Sequence, residues 1–220
     1  RLYKFFGDLC HQFGYAATLV AHHQDDLIET YLLQKERQNN PIYYGISEKT
    51  IIYGVNIIRP LLNYRKQELI DLCDEHDVPY SIDKTNFDIS ILRNRIRHNV
   101  ISKMLYSDRV KILDDIKDEN EKLSQLLSSI DITKLCEVNY ILSLDFVTQC
   151  YALNMYVKSI NDSFALSKKN VGQIIKILNS SKPNGQFAIF KGLYLFKEYD
   201  YFEFGVNKVE KADFKYTILC

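Results

Sequence analysis

The sequence lacks paired cysteines and long apolar runs, and no signal peptide is visible in it, so we expect none. Its five cysteines are scattered, and no two of them form a C-x-x-C pair. Without such pairs, a disulfide framework, a zinc ribbon and an iron–sulfur site are all disfavoured, and a reducing compartment is indicated. No apolar run approaches the length that spans a bilayer. We therefore expect a cytoplasmic protein.

A net charge is also absent, because 28 Lys and Arg residues balance 28 Asp and Glu residues. Any nucleic acid must then be bound by a local basic patch and not by a global field. The 220 residues, 46% hydrophobic and 25% charged, suit an ordinary globular protein of one large or two small domains.

The sequence does not begin with methionine. Its first residues already have the spacing of an amphipathic helix over 2–13, with Leu2, Phe5, Phe6, Leu9, Cys10 and Phe13 on one side. A domain seldom begins inside a helix, so we expect further residues before Arg1 in the natural protein.

A polar cluster follows at the point where a strand is predicted to lead into a helix. The apolar run 15–20 predicts a buried parallel strand, and the apolar spacing within 27–33 predicts a helix over about 25–37. Between them lie His22, His23, Asp25, Asp26 and Glu29. Since α/β sheets bind ligands beyond the carboxyl ends of their strands, this cluster is a candidate active site.

The three acids of this cluster should repel one another. Glu29 lies three residues after Asp26 and four after Asp25, on one face of a helix. Such a group favours a cation, either Mg²⁺, a substrate ammonium or an arginine from elsewhere in the fold. In the alternative interpretation, Asp25 is an N-cap, and Asp26 and Glu29 only complement the helix dipole.

A second polar segment is the basic helix predicted over 89–105. Between Arg93 and Lys103 it has four Lys or Arg residues and no acid, while apolar residues such as Ile96 and Ile101 form a separate stripe. The functional interpretation is phosphate or RNA contact, and the alternative is a solvated surface helix. Arg93 and Arg97 are one turn apart, so they can reach one anion or the acids of the first cluster.

The remaining pattern predicts the architecture. A strand or strand pair over 50–58 and a helix ending near Asp77 continue a β-α-β-α alternation, which favours a parallel sheet covered by helices. Composition changes near Tyr106, giving two predicted domains, 1–106 and 107–220. In the second we predict a long helix over 108–130, further helices over 146–160 and 171–178 with Ser167 as an N-cap, and a hairpin over 186–204.

Residues 1 to about 106 resemble the tRNA(Ile)-lysidine synthetase family of PP-loop ATP pyrophosphatases. The matching fragments, in order, are Arg1…Tyr3-x-Phe5-Phe6, His22-His23-x-Asp25-Asp26-x-x-Glu29-Thr30, Arg59-Pro60-Leu61-Leu62, Asp83-x-Thr85-Asn86 and Arg93-Asn94-Arg95-Ile96-Arg97. The resemblance implies a truncated Rossmann-like, adenine nucleotide α-hydrolase-like parallel sheet with helices. Residues 150–205 are more loosely similar to the helical, hairpin-ended second domain of that family, which we expect to bind tRNA.

The resemblance also implies a reaction and roles for individual residues. ATP, with Mg²⁺, adenylates the C2 oxygen of the wobble cytidine in an isoleucine tRNA with a CAU anticodon, and the ε-amine of free lysine then displaces AMP. Lysine is expected at Asp26, Glu29, Arg93 and Asn94, with Arg93 on its carboxylate and the acids as ammonium site and general base. The other assignments are Asp25 to Mg²⁺ or helix capping, His23 to the nucleotide, and Arg1 and Arg97 to the phosphates or RNA.

Two motifs of the family differ here. The Ser-Gly-Gly-x-Asp-Ser pyrophosphate loop is not in this sequence, so we expect it to precede Arg1 and this chain to be inactive alone. The glycine-rich loop after the acidic helix is reduced to Gly45-Ile46.

Other functions stay open. Thiolating relatives commonly use paired cysteines, which are lacking. A metal-dependent hydrolase built on His23, Asp25, Asp26 and Glu29 is one alternative, although two adjacent Asp residues cannot easily both point inward. A non-catalytic RNA-binding module is another. Whether the protein is a homodimer is not fixed by the sequence.

Overall fold

A computed structural model describes residues 2–37, 40–81, 92–161, 163–190 and 192–206. Arg1 and the predicted Asp83-x-Thr85-Asn86 motif lie outside these residues. The chain forms two compact units, one ending at Leu123 and the next beginning at Ser124. Among the described residues, no helix combines the length and apolar character needed to cross a bilayer.

The first unit alternates helices and short strands, as predicted. Its elements are α1 (Leu2–Phe13), β1 (Ala17–Leu19), α2 (Gln24–Glu36), β2 (Lys49–Ile52), β3 (Val55–Ile58), α3 (Lys66–Glu75), α4 (Leu92–Asn99) and α5 (Tyr106–Ser129), the last of which continues beyond Leu123. The basic segment is thus a short helix followed by a 3₁₀ turn, Ile101–Lys103, and not one helix over 89–105.

The three strands of this unit form a mixed sheet in the order β1-β3-β2. Strand β1 is parallel to β3, with Leu19 opposite Ile58, whereas β2 and β3 are antiparallel. Tyr53 and Gly54 join β2 to β3, both with positive φ (51° and 75°). A two-residue turn of this kind can connect only antiparallel strands, so the predicted strand pair is a hairpin and the described sheet is not purely parallel.

The prediction that β1 is buried was wrong. Leu19 is 68% exposed, and Ala17 and Thr18 are only partly buried. Within the described residues β1 pairs with β3 alone and forms one edge of the sheet. An edge strand has a neighbour on one side only, which leaves its apolar residues partly exposed.

Two apolar clusters hold the elements of the first unit together. One joins α1 to β3 through Cys10, Val55 and Ile57. The other joins α2 to the α4 segment through Ile28, Ile96 and Ile101. Burial of each such side chain stabilises the fold by about 1.5–3 kcal/mol, so the second cluster fixes α4 against α2. It also confirms the buried face predicted for the basic helix.

The second unit is mainly helical and ends in a small sheet. It comprises α6 (Val138–Ser143), α7 (Phe146–Ile160), α8 (Lys168–Leu178), β4 (Asn184–Phe190), β5 (Leu193–Glu198) and β6 (Tyr201–Gly205). The predicted hairpin is confirmed, and β6 extends it to an antiparallel sheet of order β4-β5-β6. Ser167 caps α8 as predicted, since its hydroxyl accepts a hydrogen bond from the Asn170 N–H at 3.2 Å.

The four cysteines in the described residues are free thiols: Cys10, Cys73, Cys136 and Cys150.

Candidate active site

The acidic cluster lies where α2 begins, a few residues after β1, as predicted. His23 is the N-cap of α2, and its backbone N–H donates to Asp26 Oδ2 at 3.1 Å. Asp25 is therefore the second residue of the helix, and the alternative that made it the N-cap was wrong. Asp26 does complement this end of the helix, where free N–H groups and the dipole favour a carboxylate.

Glu29 is the most deeply buried charge of the cluster, with no exposed surface. Its Oε1 accepts a hydrogen bond from Arg93 Nε, and its Oε2 accepts one from Arg97 Nε. An ionised carboxylate that is removed from water costs several kcal/mol unless it is paired. The two guanidinium groups of α4 provide that pairing.

Arg97 links two of the acids. Besides Glu29, it contacts Asp26, with 2.7 Å between Arg97 Nη2 and Asp26 Oδ1. The prediction that Arg93 and Arg97 reach the acids of the first cluster is confirmed. The side chain of Arg97 is 32% exposed, whereas that of Arg93 is 50% exposed and is the more accessible of the two.

The third acid turns towards a different helix. Asp25 Oδ1 accepts a hydrogen bond from Nη1 of Arg109, in the first turns of α5. No sequence pattern marks Arg109, because it lies 84 residues away among the mixed charges of α5. Asp25 and Asp26 thus bind different arginines. This agrees with the expectation that two adjacent Asp residues cannot easily both point inward.

Three carboxylates thus face three guanidinium groups. Of the three cations expected for the cluster, the structure contains the third, arginines from elsewhere in the fold. Among the residues that the structure describes, no group of three or more His, Cys, Asp or Glu side chains could hold a metal ion. With Asp25 paired to Arg109, these residues do not fit the Mg²⁺ site predicted there, and the metal-dependent hydrolase gains no support.

Two histidines, His22 and His23, lie between the end of β1 and the start of α2. Burial lowers the pKa of His22 and of His23, and the nearby Asp26 carboxylate opposes this shift in both. Both imidazoles are therefore neutral near pH 7. Each has a buried Nδ1 with no hydrogen-bond partner in the described part of the chain. A neutral imidazole nitrogen can donate to or accept from a bound ligand.

The other predicted residues have mixed positions. Asn94 is buried on α4, at 6% exposure, while Arg1 lies outside the described residues. Arg59, in the predicted Arg-Pro-Leu-Leu motif, is buried at the end of β3 and binds the Ser47 carbonyl (2.7 Å) and the Thr50 hydroxyl (3.0 Å) through Nη1. Its buried Nε has no partner among the described residues.

Comparison with known proteins shows the family to which the chain belongs. Residues 1–104 match the family model described as a PP-loop domain. Over 207 residues the chain is 30% identical to a tRNA(Ile)-lysidine synthase of Mycoplasmopsis pulmonis. The matched region covers 90% of this chain and 70% of the relative. It is 30% identical over 200 residues to the synthase of Mycoplasma mycoides subsp. mycoides (83% and 47% covered) and 27% identical over 205 residues to that of Mesomycoplasma hyopneumoniae (89% and 67%).

The chain is therefore a PP-loop protein in its first half. More specifically, it belongs to the tRNA(Ile)-lysidine synthase family, as the ordered motifs indicated. It spans 70%, 47% and 67% of the lengths of these three relatives.

Proposed function

We propose that the protein is a cytoplasmic tRNA-modifying ligase that uses ATP and L-lysine to convert the wobble cytidine of an isoleucine tRNA with a CAU anticodon to lysidine. The observation that carries this proposal is the pairing of Asp26 and Glu29 with the arginines of α4 at the carboxyl end of β1. In a family of this name, an acid–arginine cluster at that place suits an amino-acid substrate such as lysine, which has both ammonium groups and a carboxylate.

The lysine carboxylate is assigned to Arg93. This side chain contacts Glu29 through Nε only, and half of it remains exposed, so its guanidinium can take a second carboxylate. Glu29 then orients Arg93 through the hydrogen bond from Arg93 Nε to Glu29 Oε1. The buried Asn94, on the same helix, completes the site on the side of α4.

The lysine ammonium is assigned to Asp26 and Glu29. Both oxygens of Glu29 accept hydrogen bonds from arginines in the structure, so the ammonium must take the place of one guanidinium. Either carboxylate can next accept the proton that the amine loses when it becomes a nucleophile.

ATP belongs on the histidine side of the cluster. Three buried nitrogens without a hydrogen-bond partner among the described residues lie near the carboxyl ends of β1 and β3, where α/β sheets bind nucleotides: Nδ1 of His22, Nδ1 of His23 and Nε of Arg59. ATP, when bound, supplies the adenylyl group that activates the cytidine oxygen. The second unit is assigned to tRNA binding. Arg97 and Arg1, both predicted from the sequence, are assigned to the phosphates or RNA.

The test is release of AMP by the complete natural protein, which should require both lysine and tRNA because lysine displaces AMP from the adenylated cytidine. Arg93→Ala should lower kcat/KM for lysine by about 10- to 150-fold, the equivalent of one charge-assisted hydrogen bond, and leave tRNA retention nearly intact. Arg65→Ala is the matched control, because Arg65 lies on the surface before α3 and pairs with Glu68.

Three results would contradict the proposal: release of AMP without lysine, wild-type kinetics in Arg93→Ala, or the same loss in Arg65→Ala. RNA retention with no nucleotide turnover in the complete protein would favour the RNA-binding module instead.

A further inference from the structure

Arg109 contacts both of the segments that carry the acid–arginine cluster. Its Nη1 donates to the Asp25 carboxylate at the start of α2. Its Nη2 donates to the Ile101 carbonyl at 3.1 Å, in the turn that follows α4. One guanidinium group, from a third helix, therefore ties the acidic helix to the end of the basic one.

These contacts are shielded from water. The side chains of Arg109 and Asp25 are 12% and 16% exposed. Ile101 is 3% exposed and belongs to the apolar cluster that it forms with Ile28 and Ile96 between α2 and α4. Shielded ion pairs are screened less by solvent than surface pairs, and losing one partner leaves a costly unpaired charge.

Helix α5 also contacts the opposite end of α2. Glu119 Oε1 lies 2.5 Å from Lys35 Nζ and accepts a hydrogen bond from the Tyr31 hydroxyl at 3.0 Å. Ten residues separate Asp25 from Lys35, and ten separate Arg109 from Glu119. At about 1.5 Å of rise per residue, both spacings are roughly 15 Å, so the two helices run side by side in the same direction.

We propose that Arg109 is a positioning residue of the lysine site. It holds the start of α2 and the end of α4 at the spacing at which Glu29 meets Arg93 and Arg97. This inference rests on the proposed function, because it assigns Arg109 to the same lysine site. Arg109 acts through Asp25 and the Ile101 carbonyl, without touching the substrate.

The kinetic test uses the complete protein with Arg109→Met, Arg109→Lys, Asp25→Asn and the double variant Arg109→Met/Asp25→Asn. Arg109→Met should raise KM for lysine by about tenfold or more, because small displacements of a positioning group are costly, while KM for tRNA stays unchanged. Arg109→Lys should rescue part of the loss. The double variant should regain thermal stability, since no carboxylate is left unpaired, and still show the raised KM for lysine.

Lys35→Met is the matched control, because it removes the other ion pair between the same two helices, roughly 15 Å further along them. It should leave KM for lysine unchanged. The proposal is overturned if the double variant regains the wild-type KM for lysine. That result would mean that Arg109 only compensates the charge of Asp25. It is equally overturned if Lys35→Met raises that KM as much as Arg109→Met does.

Hydrogen exchange of the α4 amides separates this proposal from the proposed function. Exchange over Leu92–Asn99 should be faster in Arg109→Met and in the double variant than in the wild type or Lys35→Met. If the wild type transfers no lysine, the proposed function fails. The hydrogen exchange of the α4 amides still tests whether Arg109 positions α4. Unchanged α4 exchange in the double variant would refute the positioning role.

Discussion

At the scale of single residues, the binding properties of the acidic cluster depend more on the partner of each carboxylate than on the number of carboxylates. Asp25 and Asp26 are adjacent, yet one binds an arginine of α5 and the other an arginine of α4. Glu29, with no exposed surface, requires two guanidinium groups. Under the proposed function, a substrate cation must compete with arginines of the protein for these carboxylates, which favours a ligand whose own carboxylate binds Arg93.

The two histidines beside this cluster should make the stability of the first unit depend on pH. Their pKa values are lowered by burial in the folded state, so below an unfolded value of about 6.5 the unfolded chain binds more protons. Stability is then present above that pH and is lost as the pH falls through the folded pKa values. His23→Gln should flatten this dependence, measured as the melting temperature between about pH 7.5 and 5.

The control for this experiment is His76→Gln, at an exposed histidine that follows α3. It should keep the pH dependence of the wild type. An equally steep loss of stability in His23→Gln and in the wild type would show that His23 does not contribute.

Part of the site was predictable at this scale and part was not. Arg93 and Arg97 lie one helical turn apart on a helix with a clear apolar stripe, so their common direction follows from the sequence. Arg109 has no such mark, because its contact with Asp25 depends on how α5 packs against α2. Local spacing does not contain that information.

At the scale of elements, periodicity predicts helices well and short or partly covered elements poorly. The apolar stripe of α4 and the Ser167 cap of α8 were predicted and are confirmed. The six residues of α6 are too few to show a helical period, and this helix was not predicted. The apolar run around β1 predicted burial, but an apolar run does not reveal whether neighbours cover both faces of a strand.

One interaction between elements of the second unit should be important for its stability. Lys197, on β5, is only 6% exposed, and its ammonium donates to the carbonyls of Leu178 (2.8 Å), Ser180 (3.0 Å) and Ile177 (3.4 Å). These carbonyls lie at and just beyond the C-terminal end of α8, where the helix dipole favours a cation. The Ile177 carbonyl also accepts hydrogen bonds from the Ser180 N–H at 3.2 Å and the Ser180 hydroxyl at 2.7 Å.

Lys197→Met should therefore destabilise the second unit by about 1.5–3 kcal/mol, since it leaves these buried carbonyls without their charged donor. The measurement is denaturant unfolding followed by far-UV circular dichroism. Lys176→Met, at an exposed position of α8, should change stability by no more than about 0.5 kcal/mol. Equal stability of the two variants would show that Lys197 is not a helix cap of this strength.

At the scale of the whole molecule, the sequence predicts a domain boundary near Tyr106, whereas the chain divides into its two compact units between Leu123 and Ser124. Composition changes where α5 begins, and this is what the prediction detects. The side chains of Arg109, Glu119 and Asn120 nevertheless contact residues of the first unit. Composition alone does not show which core a helix joins, and the functional boundary stays a prediction.

The charge of the whole chain bears on how it would bind tRNA under the proposed function. With zero net charge, attraction to phosphate must come from a local group of cations. Arg95 is a candidate because its side chain is 54% exposed and lies on the same helix as Arg93 and Arg97. Its ion pair with Glu36, at 3.8 Å and half-exposed on both sides, is worth little and does not compete with phosphate.

Arg95→Ala should weaken tRNA binding several-fold and reduce the slope of log Kd against log salt by about 1, because one phosphate contact and its counterion release are lost. Lys49→Ala removes the same charge from an exposed position on β2 and should change neither quantity. The measurement is a filter-binding titration at four salt concentrations. If both variants lose the same affinity and slope, tRNA responds to the field of the whole molecule, and the local basic patch on α4 is refuted.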